Sequence, residues 1–202
     1  MNKLLAILFL VPAAVQAADF DVLIKNARVV DGTGSPWYRA DVGVLDGKIA
    51  AVGPLGQRSA TRVIEARELV LAPGFIDVHT HVEDEVENFP DAGNFLRDGV
   101  TTIGTGNCGG SKTDLAEFFS RLEELGLGPN VASLVGHNSV RRKVMGSENR
   151  PAKAQEIAKM QELVDAAMRD GAVGLSTGLI YVPGTYAGTD EVIALAETAA
   201  RH

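Results

Sequence analysis

The chain has 202 residues and a formal net charge of −7, with 46% apolar, 22% charged and 5% aromatic residues and a single cysteine. This composition excludes a disordered chain, and one cysteine excludes an intrachain disulfide scaffold. The acidic balance also argues against a nucleic-acid partner, because duplex binders carry an excess of Lys and Arg that neutralises phosphates.

The first 17 residues are typical of a cleavable secretory signal peptide. Lys3 precedes an apolar run over residues 4–11 that is too short to span a bilayer, and Ala17 ends a small-residue pattern that fits a cleavage site. The sequence therefore predicts a periplasmic or secreted protein that has no membrane contact once the signal is removed. The alternative is a buried N-terminal helix.

Residues 18–73 carry short strand patterns separated by turn residues. Runs rich in Val and Ile cover residues 21–30, 41–52 and 61–71, and Asp46 and Gly47 predict a tight hairpin turn inside the second run. These patterns predict a small β-sandwich segment. Because the strands are few and have open edges, the segment is expected to need a further segment to close it.

From residue 74 onward the pattern becomes strand, loop and helix, repeated four times. The predicted strands cover residues 74–81, 99–109, 129–137 and 171–180. One helix is predicted to begin at Ser111 and Asp114, which have capping-box spacing, and to end near Gly126. Another is predicted to begin at Pro151 and to end before Gly171. Strands that alternate with helices predict parallel βα units.

The number of these units predicts an incomplete barrel. A closed (β/α)8 barrel needs about 250 residues, so residues 74–202 hold its first four βα units. The amphipathic pattern of the last helix also continues to the final residue without a glycine cap. We therefore expect a truncated α/β chain containing the amino-terminal half of a (β/α)8 barrel. The alternative is a complete four-stranded open α/β sheet.

Candidate metal ligands lie at the ends of the first two predicted strands of this barrel. His79 and His81 are two residues apart, so a strand would point both imidazoles to one side, where they suit zinc or another divalent metal such as iron, cobalt or nickel. Cys108 ends the second strand in a glycine-rich loop at the same barrel edge, and its thiolate would be a further ligand. The alternatives are two polar strand-end residues and an inert buried cysteine.

Asp77 shares the strand parity of the two histidines. Its carboxylate is predicted either to hydrogen-bond and orient a ligand imidazole, without binding the metal itself, or to be a hydrogen-bonded interior group.

The motifs resemble the D-aminoacylase branch of the amidohydrolase superfamily, the N-acyl-D-amino-acid deacylases. The similar segments are GFIDVHTH, TTIGTGNCGGS, VGHNSVRRKVMG and GAVGLSTGLIYVPGTYA, in that order. The resemblance implies an amidohydrolase-type (β/α)8 barrel that binds one or two zinc ions, with His79, His81 and Cys108 as ligands. Other branches place a carboxylated Lys or a Glu at the end of the fourth strand, and this sequence has neither there, which agrees with the deacylase branch.

The resemblance also implies a reaction, the hydrolysis of N-acyl-D-amino acids by metal-bound hydroxide to a carboxylate and a free D-amino acid. In the family two further histidines and an aspartate that acts as general acid and base come from later strands, which would lie beyond His202. The missing carboxy-terminal half of the same polypeptide is thus an expected partner, and the isolated chain is expected to be inactive. The alternatives are a related amidohydrolase acting on another linear or cyclic amide, and a non-catalytic metal-binding half-barrel remnant.

Two further residues are candidate substrate contacts. Tyr181, after the fourth strand, is predicted to hydrogen-bond substrate or to be a rim tyrosine, and His137, at the end of the third strand, is predicted to line the pocket or to be structural. Residues 139–150 form a basic segment that either attracts an anionic acyl-amino acid or is a solvated charged loop. Its basic residues are Arg141, Arg142, Lys143 and Arg150.

Overall fold

The computed structural model describes residues 18–202. The predicted signal peptide, residues 1–17, lies outside the described residues. None of the helices within residues 18–202 has the length and apolar character that a membrane span requires. The described chain divides into two compact units, with the boundary between Pro73 and Gly74.

The first unit is one five-stranded sheet. Its strands are β1 (Phe20–Val29), β2 (Tyr38–Leu45), β3 (Lys48–Gly53), β4 (Ala60–Glu65) and β5 (Val70–Leu71). Strand β1 lies inside the sheet, where it pairs antiparallel with β2 and parallel with both β4 and β5. Strand β3 pairs with β2 through the predicted hairpin, and Asp46 and Gly47 have the positive φ angles, 51° and 70°, that this turn needs.

The described residues of this unit form a single sheet, and the sandwich that a further segment would close stays a prediction. The strands share one small apolar cluster, in which alternate residues of β1 and β2 are buried together with a residue that follows β4. The buried members are Ala27, Val29, Ala40, Val42 and Ala66. Small side chains at three of these five positions limit how much apolar surface the cluster buries.

The second unit contains short parallel strands that alternate with helices. In chain order its elements are β6 (Phe75–Asp77), α1 (Glu85–Asn88), α2 (Gly93–Arg97), β7 (Val100–Thr105), α3 (Leu115–Leu125), β8 (Asn130–Ser133), β9 (Val135–Gly136), α4 (His137–Met145), α5 (Ala154–Arg169), β10 (Leu175–Ser176) and α6 (Thr189–Ala199). Strands β6, β7 and β8 pair in parallel, and so do β9 and β10. The predicted third strand is divided in two because β8 pairs with β7, whereas β9 pairs with β10.

The core of this unit is formed by the helices and the strand ends that they cover. Helix α3 buries Leu115, Phe118 and Leu122, and helix α5 buries Met160 and Val164. These residues lie three or four positions apart, as one buried face of a helix requires. Both faces can be read from the sequence, because the apolar period is uninterrupted in each helix.

The beginnings of α3 and α5 differ from the predictions. Asp114 alone caps α3, since its carboxylate accepts a hydrogen bond from the Glu117 backbone N–H at 3.0 Å. Helix α5 begins at Ala154 rather than at Pro151. The Glu156 carboxylate accepts from the Lys153 backbone N–H at 2.7 Å, which fixes the helix start there. The Arg150 guanidinium and this backbone N–H together lower the pKa of Glu156 to about 2.

Helix α4 occupies a region that the sequence predicts as a strand end followed by a charged loop. His137 is its first residue, not the last residue of a strand. Val140, Arg141 and Met145 lie on its buried face. The prediction of a solvated loop is wrong here because a charged residue, Arg141, occupies a core position and interrupts the apolar period.

Gly126 ends helix α3 in the left-handed region, with φ 70° and ψ 63°. An added Cβ would meet nothing within 4 Å, so a substitution changes backbone strain and not packing. We expect Gly126→Ala to lower the free energy of unfolding by about 1–2 kcal/mol. Urea unfolding measures this loss.

Gly93→Ala is the matched control, because Gly93 opens helix α2 without a positive φ and its added Cβ would meet only Arg97, at 4.0 Å. This variant is expected to be neutral or to gain up to about 1 kcal/mol. Equal losses in both variants would contradict the assignment of the Gly126 loss to backbone strain.

Candidate metal centre

Three potential metal ligands converge at the carboxyl ends of β6 and β7. The ligand atoms of His79, His81 and Cys108 all lie within 4.8 Å of one another. Nε2 of His79 is 3.4 Å from Sγ of Cys108, and the two imidazole rings are 5.4 Å apart with an interplanar angle of 70°. The structure therefore brings together all three residues that the sequence predicts as ligands.

The donor set and its spacing fit a divalent metal. Zinc lies about 2.3 Å from a thiolate and about 2.0–2.1 Å from an imidazole nitrogen, so a tetrahedral ion holds two such donors about 3.6 Å apart. The observed separation of 3.4 Å between His79 and Cys108 is close to this value. Both histidines are exposed and Cys108 is half-buried, so an ion can reach the three donors from solvent.

Cys108 lies in a turn with a left-handed backbone. Its φ is 54°, which is uncommon for a residue with a side chain. Ser176 of β10 holds both ends of this turn, because its hydroxyl donates to the Gly106 carbonyl and accepts from the Gly109 backbone N–H. Gly178 packs directly on the turn, where an added Cβ would lie 2.1 Å from the Cys108 carbonyl oxygen. These contacts fix the direction of the thiol.

Asn107 joins the cysteine turn to the histidine segment. Its side-chain amide donates to the carbonyl oxygens of Gly104 at 3.1 Å, Thr80 at 3.3 Å and Val78 at 3.4 Å. Thr80 lies between the two candidate histidine ligands, so Asn107 fixes their backbone relative to Cys108. The sequence reasoning missed Asn107 and Ser176, because neither lies in a local pattern that marks a role.

Asp77 supports the site through the backbone. Its carboxylate accepts a hydrogen bond from the His79 backbone N–H at 3.1 Å. Of the two roles predicted for Asp77, this contact agrees with the hydrogen-bonded group, and the carboxylate bonds to the backbone that follows the end of β6.

Of the two roles that the sequence leaves open for His137, the structure shows the structural one, and His137 does not line the concavity beside the metal cluster. The ring is fully buried, Nε2 lies 2.8 Å from a Glu191 carboxylate oxygen, and Nδ1 lies 3.2 Å from the Thr177 hydroxyl. Because both ring nitrogens are engaged inside the protein, His137 is a structural residue that joins α4 to α6.

A concavity of about 240 Å³ adjoins the metal cluster. His81 and Cys108 line it together with Tyr181, the residue predicted to contact substrate. Helix α4 holds the Tyr181 loop in place, because the Asn138 amide donates to the Gly178 carbonyl at 3.0 Å and Arg142 donates to the Val182 carbonyl at 2.8 Å.

Comparison with known proteins identifies the relatives of this chain. No protein-family model matches it. A D-aminoacylase from Alcaligenes xylosoxydans xylosoxydans is 36% identical over 206 residues, which cover 91% of this chain and 43% of that protein. The chain is a homologue of the D-aminoacylases. It spans about two fifths of the length of the curated relatives that it matches.

Solved structures of this group have the same fold. A D-aminoacylase structure that defines a subset of the amidohydrolases superposes with a TM-score of 0.85 at 36% identity, covering 91% of this chain and 44% of its own. The N-acyl-D-glutamate deacylase of Bordetella bronchiseptica, in complex with zinc and a phosphonate inhibitor, gives 0.85 at 37% identity over 90% and 43% of the two chains. A D-aminoacylase also has a binuclear metal centre. The predicted amino-terminal part of an amidohydrolase-type barrel is thereby confirmed.

Proposed function

We propose that this chain provides part of the active site of a metal-dependent N-acyl-D-amino-acid deacylase, which hydrolyses the amide bond to a carboxylate and a free D-amino acid. The observation that carries the proposal is the convergence of the ligand atoms of His79, His81 and Cys108 within 4.8 Å at the carboxyl ends of two parallel strands. The homology to a D-aminoacylase, an N-acyl-D-aspartate deacylase and an N-acyl-D-glutamate deacylase supports the proposal.

The donor types favour zinc, as one or two ions, over a hard cation that prefers oxygen ligands. A divalent ion held there supplies Lewis-acid activation of water and of the amide carbonyl. Cys108 would bind as a thiolate, so it brings negative charge to the cluster, whereas His79 and His81 bind through neutral nitrogens.

Other residues of the concavity would position substrate. The Tyr181 hydroxyl is an available donor for the acyl carbonyl or a substrate carboxylate. No carboxylate lines the concavity within residues 18–202, so we propose that an aspartate outside this range transfers the proton to the departing amine. Export, which depends on residues 1–17, stays a prediction.

The test is an assay of the complete protein on N-acetyl-D-leucine, its L-enantiomer and a hydantoin, with release of free amine or ring opening as the readout. We expect hydrolysis of the D-enantiomer, loss of activity after chelation and recovery when zinc is restored. Turnover that persists after complete metal removal would contradict the metal role. Ring opening of the hydantoin without deacylation would replace the proposed substrate with a cyclic amide.

A further inference from the structure

The concavity beside the candidate metal centre has an uneven charge. Within the described chain Arg142 is the only permanently charged residue that lines it, and no Asp or Glu side chain does so. Glu83 and Asp84 line a separate concavity, which has His81 and Gly110 in common with the first. Both are engaged there, Glu83 by a backbone N–H at 2.8 Å and Asp84 by the Lys112 ammonium at 2.7 Å.

Arg142 differs from the three other basic residues of its segment. Arg141 is buried against a carboxylate, Arg150 pairs with two carboxylates, and Lys143 donates to a hydroxyl outside this concavity. Arg142 is exposed. Within residues 18–202 its guanidinium makes one hydrogen bond, which it donates to the Val182 carbonyl. A guanidinium has five N–H donors, so this bond fixes the group and leaves donors available.

We infer that Arg142 is a specificity-determining residue that binds a carboxylate of the substrate. The inference rests on the proposed function, because it concerns the substrate of the same site. A planar guanidinium binds a carboxylate through two parallel hydrogen bonds. Val182 holds this one at the rim of a concavity where residues 18–202 place no competing carboxylate. Arg142 also places a positive charge where an anionic substrate would approach a chain whose net charge is −7.

The carboxylate has three possible positions in an N-acyl amino acid. The α-carboxylate is present in every such substrate, an acidic side chain adds a second one, and a dicarboxylic acyl group adds another. Three matched pairs separate these positions, since the members of each pair differ in one carboxylate. They are N-acetyl-D-leucine with N-acetyl-D-leucinamide, N-acetyl-D-glutamate with N-acetyl-D-glutamine, and N-succinyl-D-leucine with N-butyryl-D-leucine.

The experiment compares Arg142→Gln with the wild type, using the complete, metal-loaded protein. KM and kcat are measured for each pair, and calorimetry gives Kd for any compound that is not hydrolysed. Lys143→Gln is the matched control, because it removes the same charge from the next position of α4 but lies outside the concavity. Arg142→Lys retains the charge without the planar group.

We expect Arg142→Gln to raise KM or Kd by about 10- to 100-fold for the member of at least one pair that carries the extra carboxylate, relative to the member that lacks it, with little change in kcat. The affected pair identifies the carboxylate. Arg142→Lys should restore part of the loss, and Lys143→Gln should leave every pair unchanged. A purely structural role in holding the Tyr181 loop would affect both members of a pair equally.

Equal effects on both members in all three pairs would overturn the inference. If the wild type hydrolyses none of the compounds, the proposed function fails, but the Kd differences within the pairs still decide the role of Arg142. If the wild type binds none of them either, both the proposed function and the role of Arg142 are wrong.

Discussion

Replacing Cys108 with alanine is expected to remove bound metal and hydrolytic activity together. The thiolate is the one anionic donor of the three-residue cluster, so its loss removes both a ligand and the charge that balances the ion. Loss of supporting residues alone costs about 10- to 100-fold in metal affinity, so removal of a ligand should cost at least that much. Metal content after dialysis at fixed free zinc and kcat/KM measured on the same samples check this result.

His79→Ala is expected to change metal content and activity in the same direction, because Nε2 of His79 lies 3.4 Å from the Cys108 sulfur. His202→Gln is the control for removing a histidine. His202 pairs with Asp165 at 3.0 Å and is not part of the cluster, so its variant should retain metal and activity. Full metal occupancy with full turnover in both Cys108→Ala and His79→Ala would show that these residues are not ligands.

The cluster could be predicted from the sequence because its ligands follow strands whose ends share one edge of a parallel sheet. The three residues converge although β6 ends at Asp77, two residues before His79, and the histidines lie in the segment that follows. Parallel pairing of β6 with β7 still places His79 and Cys108 side by side, since β6 and β7 end at the same edge. The pairing of β6 with β7 therefore determines where the three candidate ligands lie more strongly than the length of β6 does.

The residues that hold the cysteine turn could not be predicted in this way. Ser176 bonds to Gly106 and Gly109 across 70 and 67 positions of the chain, and no local pattern marks such a contact. Helix α4 was missed for a related reason, because the partner that permits burial of Arg141 is Glu191, 50 positions away.

This buried partnership gives the largest expected effect on stability. Arg141 and His137 are 0% exposed and Glu191 is 2% exposed, and Glu191 accepts hydrogen bonds from both. Removing one partner of a buried ion pair leaves an uncompensated charge, which typically costs about 3–5 kcal/mol. Glu191→Gln keeps the shape of the side chain but leaves the Arg141 charge unpaired, so we expect a loss of this size in urea unfolding at neutral pH.

The same network predicts how the loss depends on pH. Burial raises the pKa of the Glu191 carboxyl, but hydrogen bonds and charge from His137 and Arg141 outweigh burial and hold this pKa below its usual value. A lowered pKa means that the carboxylate stabilises the fold above the unfolded-state pKa, about 4.3, and stops doing so as the pH falls through the folded-state value. The difference between wild type and Glu191→Gln should therefore shrink in acid.

Arg121→Gln is the control, because Arg121 pairs with Glu124 at 3.2 Å on an exposed helix face, where such pairs contribute less than about 1 kcal/mol. Similar losses in Glu191→Gln and Arg121→Gln would contradict the importance of the buried pair.

The buried network of His137, Arg141 and Glu191 also matters for the candidate site. Since it fixes α4 to α6, and Asn138 and Arg142 of α4 hold the loop that carries Tyr181, a loosened network should also weaken substrate binding before the protein unfolds.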